Sequence, residues 1–171
     1  MKNLITLIAA VVLVAVTATA NAQVTGTATG TATIITPIAI ANGGNMNFGN
    51  IAVSTALGTV VLSTTGSRSA TGGVTLPATA GTVSTAKFNI TGLGSSTYTI
   101  ALPAVAYTLT RLTGSETMTV TAFTSNPSGT GALSTGGTQT INVGATLNVA
   151  GAQLAGTYTN ATGFPVTVNY N

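Results

Sequence analysis

The groups in this chain that could carry chemistry are few: Glu116, Lys2, Lys87, Arg68, Arg111 and the tyrosines. Histidine, cysteine and tryptophan are absent, and so is aspartate. General acid–base catalysis wants a positioned donor and acceptor, and one carboxylate cannot be both. A transition-metal site wants imidazole, thiolate or several carboxylates, and calcium wants a cage of oxygens. Glu116, in the turn Thr113-Gly114-Ser115-Glu116, reads as a solvated charge. Lys87 could activate a serine only if desolvated beside an oxyanion hole. Its parity is opposite to that of Phe88 and Ile90, which aims it at water. The expectation is a non-enzymatic protein with no cofactor and no metal.

The charges admit two further readings. A Lys87–asparagine amide promoted by Glu116 would be a covalent staple in a chain without disulfides, but the outward parity of Lys87 argues against the burial it needs. Arg68 (Gly66-Ser67-Arg68-Ser69) and Arg111 (after Tyr107 and Leu109) read as surface cations. Either could pair with Glu116, a contact usually worth about 0–1 kcal/mol. Gly92-Leu93-Gly94 does not continue into a dinucleotide fingerprint.

Only 3% of the 171 residues are charged, while 44% are hydrophobic. Soluble domains carry about 25% charged residues, so hydroxyls must wet this surface instead. The pI of 9.7 reflects scattered cations, and nucleic-acid binding needs a clustered basic footprint. Met1-Lys2-Asn3, the apolar run Leu4 to Val16 and the ending Ala20-Asn21-Ala22 have the form of a secretory signal peptide. Cleavage is expected after Ala22, so that Gln23 begins the mature chain in the periplasm, at the cell surface or outside the cell. The apolar run is too short for a permanent span, which takes about 20 residues.

Beyond residue 22 nearly every segment alternates at period two. Ile34, Ile38 and Ile40 share parity, as do Phe88 and Ile90, then Tyr98, Ile100 and Leu102. Ile141, Val143, Ala145, Leu147 and Val149 form the longest run, and Val166, Val168 and Tyr170 the last. Threonine, asparagine and serine fill the alternate positions, which is the pattern of strands with one face on a core. Turn signals separate the runs: Asn42-Gly43-Gly44, Gly66, Gly72-Gly73, Gly92 with Gly94, Ser125 to Gly129, and Gly136-Gly137. The expected fold is all-β, an immunoglobulin-like Greek-key sandwich of eight to ten short strands. Residues 34–171 would form it as a single domain, after a flexible Thr/Gly/Ala arm at 23–33. Ser128 to Gly137 reads as a mobile loop.

Several patches resemble a family of secreted bacterial β-proteins without assigned function, similar to spore-coat-U proteins and archaic chaperone–usher pilins. They are Asn47-Phe48-Gly49-Asn50-Ile51, Arg68 to Val74, Phe123 to Pro127, Gly144 to Val149, Ala155-Gly156-Thr157-Tyr158 and Val166 to Asn171. The resemblance implies a pilin- or adhesin-style sandwich completed by an arm from the next subunit, a form of strand addition. It places the receiving groove at Val166, Val168 and Tyr170. The donated arm would carry Val24, Ile34, Ile38 and Ile40, and a periplasmic chaperone and an usher would be partners. Two departures stand: spore-coat-U-like proteins usually carry cysteines, and the arm is poor in large apolar residues before Ile34.

Edge strands present unpaired backbone groups, which soluble monomers guard with lysine, proline or bulges. A chain with so few charges is expected to self-associate, as an exported structural or surface subunit. The alternative is a monomeric secreted binding module using the loops around 125–137.

Overall fold

Alternation from Ile141 to Val149 becomes the spine of the molecule, β9 (Thr138–Val149), in which all five apolar residues of that run are buried. The computed structural model describes residues 23–171. The expected signal peptide, with Ala20 and Ala22, lies outside the described residues. The chain divides into two units between Ile34 and Ile35. In the first, residues 23–34 contain no helix or strand and every side chain is exposed.

The second unit is built from strands. β1 (Ala39–Gly44), β2 (Ala52–Leu62), β3 (Arg68–Thr75) and β4 (Ala86–Thr91) come first. β5 (Thr97–Ala101), β6 (Tyr107–Arg111), β7 (Thr117–Asn126) and β8 (Thr130–Ala132) lead to β9, followed by β10 (Tyr158–Thr159) and β11 (Thr167–Tyr170). Among the described residues that makes eleven, more than the eight to ten expected, because β8 and β10 are only three and two residues long.

All pairings are antiparallel. The large sheet runs β1-β4-β9-β7-β6-β10 with β2 and β3 branching from β9, and the small sheet runs β11-β5-β8. Neighbours such as β4, β9 and β7 are not consecutive in the chain, so connections cross over as in a Greek key rather than a meander. The result is an all-β sandwich, the expected class.

One edge of β9 is shared. Its first half pairs with β4 as far as Val143, and its second half pairs with β2 from Ala145 onward. Gly144 is the changeover, where a Cβ would overlap the Leu62 carbonyl. The core is accordingly double. Ile141 and Val143 join Ala86, Ile90, Tyr98, Leu133 and Val168 under the small sheet. Ala145, Leu147 and Val149 join Phe48, Val60, Leu62, Val74, Met118 and Val120, enclosed by β2 and β3 on one side and by β6 and β7 on the other.

Three turn expectations fail. Asn42-Gly43-Gly44 ends β1 as a bulge, not a turn. Gly72-Gly73 lies inside β3, opposite an irregularity in β2 between Val53 and Gly58. There Gly72 takes a φ of +65°, and a side chain would strike the Leu57 carbonyl, so glycine serves close backbone approach. Ser128 to Gly137 is not a free loop: it contains β8, and Leu133 is buried.

Candidate functional site

Among the described residues the ionisable side chains form one ion pair. Arg111 and Glu116 meet at 3.4 Å across the β6–β7 turn, both partly exposed, and Arg111 Nε also donates to the Ala155 carbonyl at 2.8 Å. Lys87 is exposed on β4, opposite Asn142 of β9. Glu116 precedes the part of β7 that pairs with the far end of β9, roughly 25 Å from Lys87 at about 3.3 Å per residue. The fold thus separates Lys87 from Glu116, and Lys87 is exposed as its outward parity predicts. Arg68 is also more than a surface cation. Its guanidinium is partly buried and donates to the carbonyls of Phe48 and Asn50, holding the segment between β1 and β2 against β3.

Val166, Val168 and Tyr170 sit on or just before β11. Val168 is buried, and the other two are partly buried against the same core. β11 pairs along its length with β5. The Tyr170 hydroxyl accepts the Leu93 N–H at 2.6 Å and donates to the Thr36 carbonyl at 2.9 Å. Ile38 packs on this cluster too, while Ile40 lies in β1, paired with Ile90 of β4. Of the four arm residues expected from sequence, the structure thus joins Ile38 to the Val166–Val168–Tyr170 group within one chain. Val24 and Ile34 belong to the first unit and are 92% and 98% exposed.

A second feature is one that periodicity does not reveal. Between β10 with its adjoining loop and the segment Asn45–Ile51 lies a groove of about 770 Å³. Its floor is the edge of the core (Leu109, Met118, Val120 and Leu147), Phe48 and Phe164 stand at its sides, and Asn42, Asn45, Asn47, Asn50 and Asn160 line its rim. Among the described residues no charged side chain lines it. Phe164 is fixed by aromatic neighbours, with ring centroids 4.8 Å from Phe123, 5.8 Å from Tyr107 and 6.1 Å from Phe88. Tyr107 donates to the Asn160 carbonyl at 3.1 Å. Burial raises its phenol above the ordinary value, and a hydrogen bond with the Gly163 backbone opposes that rise. A trace of the groove lies in the sequence all the same: Asn47 to Ile51 and Gly156 to Tyr158, in two of the patches that carry the family resemblance, form its two walls.

The sheet margins share this neutrality. β1, β10, β8 and β11 end their sheets, and β3 pairs only with β2. Of these five edges only β3 carries a charge, Arg68, which is spent on the carbonyls of Phe48 and Asn50. Only β1 among the four sheet ends has the protection of a bulge.

The family model described as Domain of unknown function (DUF4402) matches residues 38–170. No curated protein and no solved structure matches the chain.

Proposed function

We propose, from the premise that the chain belongs to the DUF4402 family, that it is an exported, non-enzymatic structural subunit that self-associates by β-strand pairing. The observation that carries this reading is the lack of free charge on every sheet edge, since lysines there are the usual guard against edge pairing. The exposed, unpaired segment 23–34 supports it as well. The leader-like pattern at 1–22 supports export, and the likeness to spore-coat-U proteins and pilins supports a periplasmic chaperone and an usher as partners. β8 and the buried Leu133 take up much of 125–137, which favours assembly over recognition by free loops.

The test is the solution mass of the purified full chain over a wide concentration range, by analytical ultracentrifugation. Association that grows with concentration is expected. A single monomeric species at the highest attainable concentration overturns the reading.

A further inference from the structure

We propose that Asn42 is a self-modifying site, which turns into aspartate and isoaspartate by attack of the Gly43 backbone nitrogen and so gives β1 a negative charge.

Asn42-Gly43 is the one Asn-Gly pair in the sequence. It falls in the β1 bulge, where the register passes from Asn42–Phe88 to Gly44–Lys87 and leaves Gly43 without a partner on β4. Asn42 is exposed, so water reaches its amide. Its Oδ1 accepts the Gly44 N–H at 2.7 Å, and its Nδ2 donates to Asn45 Oδ1 at 2.9 Å. The first contact curls the side chain back over the Gly43 peptide, as in an Asx turn. It also sets a backbone donor at the oxygen on which negative charge develops during attack, as an oxyanion hole does. Glycine suits position 43 twice over. A Cβ there would lie 2.8 Å from Asn89 Nδ2, and without one the attacking nitrogen is unshielded.

Water is the only co-reactant. The Gly43 nitrogen gives up its proton to solvent and bonds to Asn42 Cγ; the Cγ–Nδ2 bond breaks, and ammonia leaves with a proton from solvent. The succinimide so formed takes up water. Opening at Cγ gives aspartate, and opening at the backbone carbonyl gives isoaspartate, whose main chain runs through Cβ and Cγ. A neutral amide has become a carboxylate.

Two other side chains isolate the role of glycine. Asn47 Oδ1 accepts the Gly49 N–H at 2.8 Å, and Asn160 Oδ1 accepts the Thr162 N–H at 3.0 Å. The residues that follow them are Phe48 and Ala161, whose side chains shield the intervening nitrogen. The same curl therefore leads to reaction at Asn42 alone. β1 ends the large sheet, bonded only to β4, and carries no charge. A carboxylate at residue 42 adds to the bulge the kind of charge that guards an edge against pairing. That guarding role rests on the self-association reading above; the modification does not.

The experiment holds the freshly purified full chain, and a synthetic peptide of residues 39–48, at physiological pH and temperature. Fragmentation mass spectrometry then follows each asparagine. A gain of about 1 Da, amide to acid, is expected at Asn42, at least as fast in the folded chain as in the peptide, while Asn47 and Asn160 keep their amides. Gly43→Ala should slow the gain by about 10-fold, a barrier higher by about 1.4 kcal/mol. No gain at Asn42, a slower gain in the folded chain than in the peptide, or an equal gain at Asn47 or Asn160 overturns the site. For the guarding role, sedimentation should show Asn42→Asp associating at least about threefold more weakly than the fresh wild-type chain. Equal association overturns the guard and leaves the modification standing. A fresh wild-type chain that remains monomeric overturns the self-association reading and the guard with it.

Discussion

β9 passes through two halves of the molecule that treat the same sequence pattern differently. In its first half, Ile141 and Val143 are sealed beneath a second sheet, and Ile90 and Tyr98 beside them are fully buried. In its second half, Leu147 also faces a core, but the cover is a curled branch and an irregular segment that leave a groove over Met118 and Val120. Alternation decides which face turns inward. It does not decide whether anything closes over that face, which depends on elements far away in the chain.

The sharpest way to break this contrast is by truncation. Ile141→Ala should cost about 4 kcal/mol, because a sealed site cannot collapse around the lost atoms. Met118→Ala, at the floor of the groove, should cost about 2 kcal/mol, the low end for such changes, since the side chain already borders open space. Urea unfolding of the two variants measures both, and equal losses would erase the distinction between the halves.

A smaller effect is expected at the clamp on the open half. Arg68→Ala removes the donors to the Phe48 and Asn50 carbonyls and should lower stability by about 1–2 kcal/mol. Amide hydrogen exchange should then rise across Asn45–Ile51 and stay unchanged around Ile90. A uniform rise would mean that the two halves open as one.

The smallest effect is in pH. Burial raises the phenol of Tyr98 in the sealed half, so the fold favours its neutral form. Stability from this source is complete below the unfolded value of about 10 and falls as pH climbs through the folded value. The urea midpoint should therefore be level near neutrality and drop as pH rises past about 10. Tyr98→Phe should lessen that drop more than Tyr107→Phe does, because a backbone hydrogen bond offsets part of the rise at Tyr107.

How much of this could be read from the chain itself varies by residue. β9, β4, β5 and β11 were legible because single apolar residues alternate with threonine, asparagine or other polar residues along most of their length. β2 was not, because the run Val60-Val61-Leu62 hides its period: Val61 is 40% exposed between two buried neighbours. Gly72-Gly73 resembled a turn because glycine marks both turns and strands pressed close to another backbone. Arg68 resembled an ordinary cation, since no local pattern shows that carbonyls about twenty residues earlier will return to it. The groove is a space between segments over a hundred residues apart, and its lining is built of the same side chains as any core margin.

Tyr170 reaches back to residue 36 through one hydroxyl that also holds Leu93. A chain synthesised from its N-terminal end must therefore complete β11 before the Thr36 carbonyl finds this partner. The last strand thus closes a tie that the early chain cannot make alone: copies cut short before residue 170 would lose the bond at Thr36 while β1 still pairs with β4.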